Sequence, residues 1–275
     1  MSPADKSATT AATTSLRERS GTSTAFAGEF DASAERVNVM KSRTATVTAP
    51  WTEAVAPWWH TVLVLTPIAI GSLAGAYEHG LPNANLPGMS HRLSGYITVL
   101  AEEWLIVLLV WLGLRRRNLT FGSLISGRWN TPRAFFIDLA LAVGFVVIAI
   151  PLTAGLLTLM GAGNNSTLAN LTPKTPVELA VYLALTLTAS FAEELVFRGY
   201  LARQFSGWTG NVALGLVLQG VAFGLAHGFY GIAMIAIMVH GWLLGLLAYW
   251  RKSLRPGILA HLLQDSLGGL VSFFS

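Results

Sequence analysis

The sequence predicts an all-α, polytopic transmembrane helical bundle of about seven spans, the last four enclosing a polar cavity. Three observations predict it. Charged residues make up 12% of the 275-residue chain and hydrophobic ones 53%, with a mean hydropathy of +0.54, whereas soluble domains carry roughly a quarter charged residues. Beyond Ala49, apolar stretches of spanning length recur between short basic or polar loops. The ionisable residues inside those stretches are few and grouped.

Residues 1–52 read as a disordered cytoplasmic tail. Ser, Thr and Ala fill 26 of the first 50 positions, with no apolar period that could offset the entropy of ordering. No continuous apolar run precedes Trp58, so no secretory signal is read there, and Asp5, Glu18, Glu29, Asp31 and Glu35 argue against a transit peptide. The spans fall near 58–76, 93–114, 134–160, 177–200, 211–227, 230–250 and 256–275. The third contains Pro151, which predicts a kink or an interfacial end. The fifth is the shortest and partly polar, which predicts shielding by other helices. Residues 53–133 thus hold the first two spans and a basic loop, and 134–275 form the core.

Lys and Arg orient the bundle. Arg115, Arg116, Arg117, Arg128 and Arg133 mark the loop after the second span as cytoplasmic, and Arg251, Lys252 and Arg255 mark the one after the sixth. Alternation puts the tail inside and 161–176, with its sequons at Asn164, Asn165 and Asn170, outside. Trp58, Trp59, Trp111, Trp129 and Trp250 lie near span ends and read as interfacial anchors. This distribution explains the pI near 9.6 better than nucleic-acid binding does, so the expected partner is the lipid bilayer, with no nucleic acid. With no Cys in the chain, disulfides, thiolate metal sites and cysteine nucleophiles are excluded. No internal repeat suggests an inverted-repeat transporter.

An ionisable side chain in hydrocarbon costs several kcal/mol, about 3 on insertion scales, which makes each one a functional candidate. The fourth span carries Glu193, Glu194 and Arg198, the fifth ends in Phe223 and His227, the sixth holds His240, the last opens with His261 and Asp265, and the second adds Glu102 and Glu103. Glu194 and Arg198 are four apart in the favourable order and should pair. Glu193 lies about 100° round the helix with no partner at three or four residues, so its carboxylate is free to face a cavity and act as a general base toward water. One Arg cannot neutralise two acids, which weighs against a purely structural salt bridge. His227 and His261 could bind a divalent metal, accept a proton or donate to an oxyanion. Asp265, one turn after His261, can fix that ring's tautomer. Phe223 would line the apolar wall. His240 reads as structural, while Glu102 and Glu103 fit either a proton or cation pathway or a hydrogen-bonded helix contact. No span has the H-E-x-x-H pattern, so a metal site would have to be assembled across helices.

Glu-Glu-x-x-x-Arg at 193–198, Phe-x-x-x-His at 223–227 and His-x-x-x-Asp at 261–265, each on its own span in that order, resemble the CPBP intramembrane proteases. That family includes type II CAAX prenyl endopeptidases, bacteriocin-processing and abortive-infection proteins, and lysostaphin-resistance-like proteins. The resemblance covers about 177–275. It implies an intramembrane endopeptidase in the membrane of a bacterial cell that cuts membrane-associated or lipid-modified, CAAX-like peptides. Glu193 and His227 would activate water, His261 and Asp265 would hold the oxyanion, and Glu194, Arg198 and Phe223 would support them. It implies no organic cofactor and leaves open zinc held by Glu193, His227 and His261. The third motif more often ends in Asn; an ionised Asp265 would repel an oxyanion, so it is either protonated or orients His261. The rival expectation is a non-enzymatic membrane protein, a proton-coupled transporter or an immunity or scaffold protein, using the same ionisable cluster.

Overall fold

The computed structural model describes residues 49–80, 89–162 and 171–275, with side chains 78–80 and 89–90 outside the description. Helices α1 (Trp58–Gly80), α2 (Met89–Arg115), the short α3 (Phe121–Ile125) and α4 (Pro132–Leu159) are followed by α5 (Pro176–Glu193). A π-helical segment (Glu194–Leu201) continues α5 into α6 (Ala202–Thr209); α7 (Val212–Ala226), a 3₁₀ turn (Gly228–Ala233), α8 (Met234–Arg251) and α9 (Arg255–Phe274) complete the chain. No strand occurs among the described residues. The helical bundle predicted from the sequence is the fold. Six of the seven stretches are long and apolar enough to cross a membrane, and the fifth is the shorter helix α7. α4 runs on as one helix through Pro151. The sequons at Asn164, Asn165 and Asn170 and the tail before Ala49 lie outside the described residues.

Local chemistry sets the helix starts. Pro132 and Pro176 stand at first-turn positions where a missing N–H costs nothing. Ahead of them Thr131 accepts from the Ala134 amide at 3.3 Å. Thr175 forms a capping box, its hydroxyl accepting from the Glu178 amide at 3.2 Å while Glu178 Oε2 accepts from the Thr175 amide at 2.9 Å. Asn211 Oδ1 caps α7 by accepting from the Leu214 amide at 3.1 Å.

α7 is only half shielded by its neighbours, contrary to the expectation for the fifth span: Leu216, Gln219, Gly220 and Phe223 are buried, while Leu214, Val217, Val221 and Leu225 leave an apolar face exposed. It packs on α8 through Gly220 and Gly224: a Cβ at Gly220 would stand 3.0 Å from the Met238 carbonyl, and one at Gly224 would stand 2.7 Å from the Met234 carbonyl. Small residues let membrane helices approach closely where no hydrophobic drive joins them. By contrast, Ile70, Val147, Ile148 and Leu159 are exposed on the outer faces of α1 and α4, where hydrocarbon is the natural solvent.

Residues 49–52, at the end of the stretch read as tail, are packed against the bundle. The Ala49 amide donates to the Ser123 carbonyl at 3.1 Å, and the buried Arg203 guanidinium donates to the carbonyls of Ala49 at 3.2 Å and Gly199 at 2.8 Å. The same guanidinium lies over the Trp51 ring at 4.3 Å. Gln204 exchanges two hydrogen bonds with the Ala56 backbone, at 3.0 and 3.1 Å. The Tyr200 hydroxyl lies 2.8 Å from His60 Nδ1 on α1. Together these contacts hold the π-helical segment and α6 to the start of the bundle. Arg115, Arg116 and Arg255 lie over Trp111, Trp59 and Trp129 at 4.7, 5.1 and 4.7 Å, a pairing of cations with ring faces at these helix ends.

Candidate active site

The centre of the site is the junction between α5 and the π-helical segment. Glu193 ends the α-helix, Glu194 opens the π turn, and every residue from Glu194 to Leu201 is buried. The i→i+5 bonding of such a segment inserts an extra residue per turn and re-aims side chains, a distortion that recurs at functional sites. Neighbouring acids thereby face different partners. Arg198 Nη1 meets Glu194 Oε1 at 3.0 Å with both side chains fully buried. Glu193, 18% exposed, faces His227 Nε2 from Oε1 at 4.0 Å and His261 Nε2 from Oε2 at 3.6 Å.

The two histidines are held differently. His227 Nδ1 lies 2.9 Å from the Phe223 carbonyl and donates to it, which leaves Nε2 as the nitrogen turned to Glu193. Its turn is clamped from α1: Ser72 Oγ donates to the Leu225 carbonyl at 2.6 Å and accepts from the Gly228 amide at 3.2 Å. Tyr230, not singled out in the sequence, stacks on the imidazole with centroids 6.1 Å apart. His261 faces carboxylates from both nitrogens: Nδ1 is 3.4 Å from Glu194 Oε1 and Nε2 is 3.3 Å from Asp265 Oδ2. Asp265 thus lies beside the His261 nitrogen that also faces Glu193. The Tyr182 hydroxyl donates to the Asp265 carbonyl at 3.3 Å, and Thr186 Oγ1 lies 3.1 Å from Ser266 Oγ, tying α9 to α5.

Phe223 does more than line a wall. Its ring packs against His227 at 4.8 Å, His261 at 6.2 Å and Phe197 at 5.0 Å, and Arg198 Cζ lies 4.0 Å from its centroid. The guanidinium is therefore sandwiched between a carboxylate and an aromatic face, a geometry suited to a desolvated cation. Gly257 makes room for Glu194, since a Cβ there would fall 2.6 Å from Oε2.

The remaining ionisable residues separate. His240 is buried, with both ring nitrogens lacking a hydrogen-bond partner among the described residues and its ring against Phe145 at 5.4 Å. Glu102 is half-buried beside Gly71 of α1, where a Cβ would fall 2.6 Å from its Oε2. Glu103 is buried and lies in electrostatic range of Glu193, His261 and Asp265. Sequence reasoning passed over two buried acids at helix ends. Asp138 accepts from Arg251 and from the Trp129 indole, each at 2.9 Å, and Glu178 accepts from Arg92 at 2.7 Å. Both are pinned structural groups, and their signal was a cation at the end of another span.

Glu193, His227 and His261 are the residues that would hold a metal. Among the described residues no group of three or more His, Asp or Glu is arranged to hold one. His261 has carboxylates at both nitrogens, at 3.4 and 3.3 Å, so a metal on Nε2 would have to displace the Asp265 contact. The chemistry below is derived from the side chains alone.

Fold and site together define a polytopic helical membrane protein with a buried carboxylate and imidazole centre. Residues 175–267, about a third of the chain, match the family model described as type II CAAX prenyl endopeptidase Rce1-like. The matched segment contains all three motifs, so the family resemblance read from them holds over this region. No curated protein and no solved structure matches the chain.

Proposed function

We propose that the protein is an intramembrane endopeptidase that hydrolyses peptide bonds of membrane-associated or lipid-modified, CAAX-like substrates. The observation that carries this reading is the convergence of Glu193 on both histidines, at 4.0 and 3.6 Å, beside a second acid neutralised by its own arginine. A conduit would need its acids strung across the membrane. Here Glu193 takes a proton from water, with His227 Nε2 as the adjacent acceptor. The water oxygen adds to the scissile carbonyl, the C–N bond breaks, and the proton passes to the leaving amine. His261 donates to the developing oxyanion while Asp265 orients the ring. The Glu194–Arg198 pair fixes His261 from its other nitrogen. Walls of packed helices exclude bulk water and strengthen each of these contacts.

The protein would lie in a bacterial inner membrane with its N-terminus cytoplasmic, the orientation that its Lys and Arg distribution favours. The test is cleavage of a quenched peptide library that includes lipidated C-terminal peptides, by protein purified in lipid. Glu193→Ala is expected to lower turnover by about 10²–10⁴-fold with folding retained, and a strong chelator to leave it unchanged. Turnover that survives Glu193→Ala removes this residue from the chemistry, and chelator sensitivity replaces the side-chain mechanism with a metal-assisted one.

A further inference from the structure

The end of α2 carries three arginines that the reaction does not use. Arg115 closes the helix, and Arg116 and Arg117 follow in a tight turn, in which the Leu119 amide donates back to the Leu114 carbonyl at 3.0 Å. All three are exposed. Two of them rest on rings: Arg115 Cζ stands 4.7 Å from the centroid of Trp111, one turn earlier, and Arg116 Cζ stands 5.1 Å from that of Trp59, in the first turn of α1. None of the three forms an ion pair among the described residues. The negative end of the α2 dipole is worth about half a charge, so most of the positive charge stays uncompensated.

Beside this cluster the surface is apolar and turned outward. Leu105, Leu108 and Leu112 of α2 are 48, 48 and 43% exposed, and Val62 of α1 is 53% exposed. The three leucines and Arg115 are spaced three and four residues apart, so they share one stripe of the helix that ends in the charge. Gly113 lets α1 pack directly against α2 at this level, since a Cβ there would fall 2.7 Å from His60 Nδ1. Guanidinium groups at the helix end, indoles beside them and an apolar stripe running on into the membrane match one molecule end to end: a phospholipid with a net negative headgroup, its phosphate on the arginines and its acyl chains on the leucines. The chain's own tail is a poorer occupant, because residues 1–48 hold six Lys or Arg against five Asp or Glu and so bring no net negative charge.

We infer that Arg115, Arg116 and Arg117, with Trp59 and Trp111, form a binding site for an anionic phospholipid. A guanidinium presents a planar fork of donors that grips two phosphate oxygens at once. Stacking on the indoles already restricts Arg115 and Arg116, so less side-chain freedom is lost when the headgroup arrives. The site lies outside the three motifs and does not depend on the endopeptidase reading, since it needs only the bilayer in which the bundle sits.

Because the chain has no Cys, one introduced thiol gives a local reporter. Leu112→Cys puts it on the exposed stripe, and Val147→Cys, at a position 66% exposed on the outer face of α4, serves as the reference. Each full-length protein is labelled with a fluorescent maleimide and reconstituted in phosphatidylcholine vesicles, and quenching by brominated phosphatidylglycerol is compared with quenching by brominated phosphatidylcholine. At position 112 the anionic lipid is expected to be the stronger quencher by about five-fold, the scale of one basic side chain near a charged headgroup, and at position 147 the two lipids should agree within about two-fold. Adding Arg115→Gln and Arg116→Gln to the Leu112→Cys protein should abolish the preference while leaving the melting temperature unchanged, since both side chains are exposed. Equal quenching by the two lipids at position 112, the same preference at position 147, or a preference that survives the double substitution overturns the site. The comparison between the two reporters alters no arginine, so it decides the matter even where the double variant folds poorly.

Discussion

Replacing Arg198 with Met isolates what the buried ion pair contributes. Both Arg198 and Glu194 are fully buried, and Nη1 meets Oε1 at 3.0 Å. Met keeps an apolar stem of similar length against Phe223, so the change removes charge and donors more than volume. What remains is Glu194, carboxylate-bearing and enclosed. Removing one partner of a buried pair typically costs 3–5 kcal/mol, because the other is stranded without water. His261 Nδ1, 3.4 Å from the same Glu194 oxygen, still offers a donor, which puts the expectation at about 3 kcal/mol, the lower end of that range. For a folded unit of this size each kcal/mol moves the melting temperature by about 2–4 °C, so Arg198→Met should lower Tm by roughly 6–12 °C. The assay is thermal unfolding of purified protein in a fixed detergent or lipid, with Glu194→Gln and the double variant alongside. The double variant should regain most of the loss, since no charge is then stranded, yet remain poorly active because His261 has lost its second carboxylate. A Tm shift below about 2 °C for Arg198→Met, or a double variant no more stable than the single, would refute the buried-pair argument.

Three other outcomes follow from the same geometry. Asp265→Asn keeps a group able to orient His261 at the 3.3 Å contact, so peptide turnover should stay within about ten-fold, whereas Asp265→Ala should lose roughly 100-fold; equal losses would mean that the Asp265 charge is essential. Gly257→Ala places a methyl 2.6 Å from Glu194 Oε2, and a melt should show overpacking of about 1–3 kcal/mol with turnover reduced as Glu194 moves; an unchanged melt would mean that α9 can shift away. Because the chain has no Cys, single cysteines report topology cleanly. Asn130→Cys should react with an impermeant maleimide only after permeabilisation and Ser275→Cys in intact cells, and labelling of both from one side would refute the orientation drawn from Lys and Arg.

The bundle was legible because hydrocarbon imposes a coarse rule: backbone groups must be satisfied within a helix, so a long apolar run has one structure open to it. The short α7 shows where that rule weakens. Its apolar run is too brief to commit it to spanning, and what holds it is the glycine contact with α8 at Gly220 and Gly224, a matter of shape between partners that hydropathy does not record. Ordering of residues 49–52 was illegible for a similar reason. Their polar, small side chains carry no periodic signal, and they are held through backbone carbonyls by Arg203, a residue far along the chain.

The site divides along the same line. Glu194 and Arg198 were readable because four residues is one helical turn, and the pair survives the π distortion at 3.0 Å. The distortion itself has no counterpart in the sequence pattern, although it opens at Glu194, directly after Glu193. Ser72 was unreadable because it reaches the His227 turn across space from α1, and Tyr230, though only three residues on, stacks on the ring through the 3₁₀ turn, which the sequence pattern does not mark. Glu102 and Glu103 are the sharpest case. Adjacent residues on a helix point about 100° apart, so the sequence shows that only one of the two can face a given cavity, and says nothing of which. The packing of α2 against α1 and α5 decides it. Gly71 leaves a niche for Glu102, while Glu103 is buried. A larger residue at position 71 would press on Glu102, whose Oε2 a Cβ there would meet at 2.6 Å. The seat of this acid is therefore set by a glycine that lies outside the three motifs.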